Sequence, residues 1–244
     1  MSVGVLNHGL AEGPVQLLAD RAAFLPEQGM LMVADVHLGK AQAFRRLGVP
    51  VPEGTTWGNL QRLSALVAQT QARELVFLGD LLHARHGRSA ALDQAFVSWR
   101  NAHAGVAMRL VRGNHDSRAG DPPARWGIEL ADEPWRCGPW ALCHHPQVVA
   151  GAYTFAGHLH PGVRLGRGAD RLRLPCFHLL ARHAVLPAFG EFTGLHLVQP
   201  EPGEGVAVVA HGAVRWLAGH VPSGGGSTTS AASISQPSDY TDPP

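Results

Sequence analysis

Two residue types that bind hard and borderline metal ions stand one position apart in "MLMVADVHLGK" (30 to 40), at Asp35 and His37. Strand side chains alternate with period two, so residues i and i+2 look toward one object. The same types recur downstream: Asp80 in "LGD", Asn114, His115 and Asp116 in "GNHD", His144 and His145 in "ALCHHP", and His158 and His160 in "FAGHLH". This is an oxygen and nitrogen donor set without sulfur, suited to manganese, iron or zinc rather than calcium. Seven or eight ligands exceed the needs of one ion. They suit two ions about 3.5–4 Å apart with one shared carboxylate, for which Asp80, from the middle of the first three segments, is the natural choice.

Elements that bring such residues together are legible around them. Met30 to Ala34 is short and continuously apolar, as expected of a strand buried on both faces in a parallel sheet. "ELVFLGD" (74 to 80) is strand-like again, and "GVAMRLVRGNHD" (105 to 116) is a third strand. Between them, "PEGTTWGNLQRLSALVAQTQA" (52 to 72) has apolar residues at helical spacing from Trp57 to Val67, with Thr55 or Thr56 as cap. "SAALDQAFVSWRNAHA" (89 to 104) is also helical, with Trp99 on its core face. The order β-α-β-α-β with right-handed crossovers makes the three strands parallel, with their carboxyl ends on one edge, where ligands bind in open α/β sheets. Residues 14 to 26 read as two short strands about a turn at 19 to 21. From 126 onward, short strands broken by Gly and Pro suggest an antiparallel sheet. The fold class is therefore α/β with added β-structure, as one domain over 1–221. Residues 222–244, rich in Gly, Ser, Thr and Pro, lack the apolar side chains needed to offset ordering entropy and are expected to be a disordered tail.

Composition narrows the class. Of 244 residues 45% are hydrophobic and 16% charged, enough for a substantial core. Twenty basic against nineteen acidic residues give a net charge of +1, so net charge signals neither a nucleic-acid nor a membrane partner. Three cysteines without Cys-x-x-Cys spacing argue against a disulfide framework or a thiolate zinc site. With no apolar stretch of membrane-spanning length and no basic-then-apolar start, the expected location is the cytoplasm.

In order and spacing the motifs D-x-H, G-D, G-N-H-D, H and G-H-x-H resemble the calcineurin-like binuclear metallophosphoesterase superfamily, from residue 30 to residue 160. The resemblance implies two mixed β-sheets flanked by helices in a four-layer sandwich. It implies that Asp35, His37 and His160 hold one metal, that Asn114, His144 and His158 hold the other, and that Asp80 bridges them. His115 becomes the catalytic histidine outside the ligand set. Asp116 either orients His115 or caps the following turn. In such a centre two cations acidify a shared water and neutralise phosphate oxygens during in-line attack. "ADVHLGKAQAFRRLGVPVPEGTT" (34 to 56) and "GDLLHAR" (79 to 85) resemble, more narrowly, the bacterial ligase-associated DNA damage response endonucleases. That likeness implies a manganese-dependent phosphodiesterase that cuts single-stranded DNA and is associated with a DNA ligase, a helicase and a nuclease of a repair gene set.

Arg45, Arg46 and Arg85, with Arg88 and Arg118, fall in loops beside the site and are candidates for holding phosphates. His83, His86 and His145 are close enough in sequence to reach a substrate but read better as supporting residues. Trp126, Trp135 and Trp140 offer faces on which a base could stack, though core packing is the better reading. Two rivals are a hydrolase of small nucleotides or lipid-linked pyrophosphates and a non-catalytic scaffold of the same fold. The intact ligand set argues against the second, and the absence of a long apolar insertion argues against a lipid substrate.

Overall fold

The computed structural model describes residues 4–46, 48–49, 54–84, 87, 89–166, 171–191 and 193–218. Arg85, His86, Arg88 and the tail at 222–244 lie outside them, as do the side chains of Arg46 and Arg118.

The first sheet contains seven strands in sequence order: β1 (Val5–Leu10), β2 (Gly13–Leu18), β3 (Ala22–Leu25), β4 (Met30–Ala34), β5 (Glu74–Leu78), β6 (Ala107–Val111) and β7 (Glu129–Ala131). The strands from β1 to β4 pair antiparallel, and those from β4 to β7 pair parallel. The expected β-α-β-α-β unit is present, with α1 (Lys40–Arg46) and α2 (Thr55–Thr70) between β4 and β5, α3 (Ala90–Ala102) before β6, and α4 (Asn114–Ala119) after it.

Alternation sorts the first sheet's side chains into two cores. Leu31, Val33, Leu75, Phe77 and Leu110 face Leu60, Leu63 and Leu66 of α2 and Phe96 and Trp99 of α3. Met30, Met32, Val76, Leu78 and Val111 face the second sheet. Each such side chain contributes about 1.5–3 kcal/mol on burial, which makes β4, β5 and β6 a rigid platform whose ends can be aimed.

The second sheet is built from β8 (Trp135–Cys137), β9 (Trp140–Leu142), β10 (Tyr153–Ala156), β11 (Pro161–Leu165), β12 (Leu172–Leu179), β13 (His183–Val185), β14 (His196–Leu197), β15 (Gly205–Ala210) and β16 (Ala213–Ala218). Its order is β14-β11-β12-β13-β10-β9-β8, with β15 on β12 and β16 on β15. The sequence suggested an antiparallel sheet; it is mixed, because β10 runs parallel to both β9 and β13. These strands of three or four residues are buried on both faces, so no alternation survives to show direction. Two mixed sheets with helices thus form the expected α/β sandwich. Among the described residues the helical layer lies on the first sheet, while Val149 and Ala152 of the loop after β9 pack over Ala141, Cys143 and Ala156 of the second.

Three local readings need correction. Neither Thr55 nor Thr56 caps α2: the N-cap is Gly54, at φ 86°, and no side chain bonds there. Trp57 is 52% exposed, since burial in α2 begins only at Asn59. Strands β1, β7, β8 and β14 were not foreseen. Ser89 does cap α3, accepting Leu92 N–H at 3.1 Å. Trp126 and Trp140 are core residues, and Trp135 is covered by the Arg109 guanidinium at 4.2 Å. No described helix is long and apolar enough to cross a membrane.

Candidate metal centre

The segments after β4 and β5 run side by side, zipped by Asp35 N–H to Gly79 O (3.3 Å), His37 N–H to Asp80 O (2.9 Å) and Leu38 N–H to Leu81 O (2.8 Å). The third strand end joins through the N–H of His115, which donates to Asp80 Oδ1 at 2.9 Å. The second sheet is tied in by His158 N–H to Asp35 Oδ2 at 2.9 Å and Gly157 N–H to His144 O at 3.1 Å. Glycine permits this closeness at two points. A Cβ at Gly79, where φ is 73°, would overlap the His144 ring, and one at Gly113 would overlap the Asp80 carboxylate.

Five site residues adopt left-handed backbone conformations: Asp35 (φ 54°), His37 (48°), Asp80 (50°), His158 (71°) and His160 (49°). Each costs a non-glycine residue of the order of 1–3 kcal/mol and persists only where surrounding structure imposes it. This bending turns side chains from successive loops toward a common point.

Asp80, 2% exposed, stands between two donor sets. On one flank the donors of Asp35, His37 and His160 lie within 4.8 Å of one another, with His160 Nε2 3.5 Å from Asp35 Oδ1 and His37 Nε2 4.0 Å from Asp80 Oδ2. On the other, His144 Nε2 lies 2.9 Å from Asn114 Oδ1, 3.1 Å from His158 Nδ1 and 3.5 Å from Asp80 Oδ1. The structure thus brings together all seven residues expected to hold metal.

The donors fit cations on two counts. Among the described residues, Asp35 Oδ1 and both ring nitrogens of His37 are buried without a hydrogen-bond partner, which is costly unless an ion satisfies them. His144 donates Nδ1–H to Leu78 O at 3.1 Å, leaving Nε2 as a lone pair facing the Asn114 carbonyl oxygen, acceptor against acceptor. Ligands at about 2.0–2.2 Å from one ion, side by side in its shell, are separated by about 3 Å, so a shared cation resolves that contact.

The electrostatics describe a pocket short of positive charge. Burial, followed by the Asp35 carboxylate, pushes Asp80 up to about 7. Burial takes His158 down to about 4, with the neighbouring imidazoles adding to the effect, and holds His37 well below and His144 below the ordinary histidine value. These imidazoles are therefore in the neutral form that ligates. Burial opposes the ionisation of Asp35 and the protonation of His160, but each is outweighed by the other: Asp35 is lowered and His160 raised.

His144, fully buried, occupies the centre, whereas the side chain of His145 is 46% exposed at the rim, with its Nδ1 2.5 Å from Glu133 Oε1. His115 donates Nδ1–H to the carbonyl of His83 at 2.9 Å, and its Nε2 lies 3.8 Å from Asp80 Oδ2. Of the two roles open to Asp116, the geometry supports capping: its oxygens accept N–H from Leu82 (3.0 Å) and Gly113 (3.1 Å). His83, rather than Asp116, orients His115, and its ring stacks on the His115 ring with centroids 5.4 Å apart. Arg45 is exposed on α1. The sequence reading missed Glu133, which only the unforeseen β8–β9 pairing could have placed.

Known proteins resemble this chain in sequence and in fold. Residues 30–230 match the family described as calcineurin-like phosphoesterase. The crystal structure of Pseudomonas putida nuclease MPE is similar at 40% identity and a TM-score of 0.78, over 87% of this chain and 100% of that one. Yfce, a phosphoesterase from E. coli, is 18% identical with a TM-score of 0.38, over 74% of this chain and 87% of that one. No curated protein matches the chain.

Proposed function

Since this chain belongs to the calcineurin-like phosphoesterase family, and hence among hydrolases of phosphate esters, we propose that it is a manganese-dependent phosphodiesterase that cuts DNA internally, favouring single strands. The observation that carries this reading is Asp80, one buried carboxylate with an oxygen toward each of two donor sets. Asp35, His37 and His160 would hold one cation with Asp80, and Asn114, His144 and His158 the other. When bound, two divalent cations supply neutralisation of phosphate oxygens and a water acidified toward neutral pH.

The chain's own groups supply the rest. Asp80 is fixed by the His115 N–H, so its two oxygens keep their separate directions. His115, anchored through Nδ1 to the His83 carbonyl, presents Nε2 beside Asp80, where the protonated ring gives a proton to the departing ester oxygen. Arg45, exposed on α1, takes a strand phosphate, and Arg46 and Arg85 remain candidates for the same task.

The nitrogen and oxygen donor set without thiolate suits manganese, iron or zinc, and the choice of manganese among them rests on the motifs at 34 to 56 and 79 to 85. A nucleic-acid substrate is supported by the nuclease similar to this chain, and DNA in particular by the same motifs. Single-strand preference and a repair role beside a ligase, a helicase and a nuclease rest on the motifs at 34 to 56 and 79 to 85. A cytoplasmic site of action accords with three free cysteines. The test is hydrolysis of bis-p-nitrophenyl phosphate, circular single-stranded DNA and duplex DNA by the purified chain with manganese. Cleavage of the diester and the single strand is expected, with slower cleavage of the duplex. His115→Ala should retain bound manganese and lose most turnover on DNA, whose poor leaving group needs the proton, more than on the nitrophenyl diester. Cleavage of neither substrate would overturn the reading.

A further inference from the structure

Glu133 lies outside every motif read from the sequence, yet its partly buried carboxylate reaches the second flank of the centre. Oε2 accepts the backbone N–H of His144 at 2.7 Å and of His145 at 2.8 Å, while Oε1 accepts Nδ1–H of His145. Strand register explains how it arrives there. Trp135 pairs with Leu142 and Cys137 with Trp140, so the same antiparallel register continued by two residues sets position 133 opposite position 144.

The backbone ladder cannot continue that far. Pro134 has no N–H to give, and the N–H of Cys143 is committed to Phe155 O in the parallel pairing with β10. Without another acceptor, the N–H groups of His144 and His145 would go unpaired in a turn whose first residue is fully buried, at a cost of about 1–3 kcal/mol for each buried group. The Glu133 side chain takes over where the sheet backbone runs out.

Resting on the two-cation reading above, we propose that Glu133 is a positioning residue of the metal centre, its carboxylate clamping the His144–His145 turn so that His144 Nε2 stays aimed at Asn114 and Asp80. The clamp extends one step further. The carbonyl of His144 accepts Gly157 N–H, so the peptide held by Glu133 on one side holds the segment carrying His158 on the other. Both imidazoles of the second flank therefore depend on one carboxylate that ligates nothing itself. Bonds of this kind behind metal ligands are worth roughly 10–100-fold in metal affinity.

The test is calorimetric titration of the metal-stripped full chain with manganese chloride, with circular dichroism melting to establish folding. The wild type should bind two ions; if it does not, the two-cation reading fails, whatever Glu133 does. Glu133→Ala should weaken one binding event by about 10–100-fold and leave the other near its wild-type value. Glu133→Gln should stay close to wild type, because an amide oxygen still accepts both N–H groups and the amide nitrogen donates to the other tautomer of His145. His145→Ala, which leaves the backbone bonds intact, should also stay close. Wild-type affinities in Glu133→Ala, equal weakening of both events, or a Glu133→Gln variant as weak as Glu133→Ala would each overturn the clamp.

Discussion

The two flanks of the metal centre are held in different ways. On the second flank, protein groups fix the donors from behind: Leu78 O receives His144 Nδ1–H, and Glu133 receives the His144 and His145 N–H groups. On the first flank both ring nitrogens of His37 and one oxygen of Asp35 have no hydrogen-bond partner among the described residues. Burial and left-handed backbone conformations hold these groups, and a bound cation is what would satisfy them. Orientation is thus built into one side before metal arrives, while the other is completed by the metal.

That contrast can be broken or sharpened by experiment. The largest effect belongs to Asp80, which serves both flanks: Asp80→Ala should lower manganese-dependent hydrolysis of bis-p-nitrophenyl phosphate about a thousandfold or more, since it removes several kcal/mol of charge stabilisation. Retained turnover would mean that the flanks work independently. Next, manganese at a hundred times its dissociation constant should stabilise the wild type by about 2.7 kcal/mol per site through mass action. This is readable as a thermal melting shift of about 2–4 °C per kcal/mol that shrinks in Asp80→Ala. The smallest effect tests the contrast itself. In urea with chelator present, His144→Ala should be less stable than His37→Ala by about 1–2 kcal/mol, because it strands the buried Leu78 carbonyl whereas the His37 ring makes no hydrogen bond among the described residues. Equal stabilities would erase the distinction drawn here.

The same division bears on what a linear reading can see. Strands β4, β5 and β6 are short and mostly apolar with chemistry beyond their ends, so sequence shows their burial, their parallel order and the first half of the donor set. The donors at 144, 158 and 160 were visible as residue types, but the parallel insertion of β10 between β9 and β13 was not, because pairing between short strands buried on both faces depends on contacts remote in sequence. Glu133 stayed hidden for that reason: its role exists only once position 133 is set against position 144. Trp57 misled in the opposite way, lying in phase with Leu60 and Leu63 but on an exposed first turn. The Gly54 cap was missed because glycine offers no side chain to recognise and contributes only its left-handed backbone.

Left-handed residues at 35, 37, 80, 158 and 160 set durability against chemistry in this molecule. Glycine at His37, whose ring makes no hydrogen bond among the described residues, would relieve local strain and give a sturdier chain, with a cation donor gone. A lineage released from the need to turn over substrate would therefore find an easy gain in heat resistance at a position where the ions sit. Selection for toughness alone would erode this centre before it touched the apolar platform beneath.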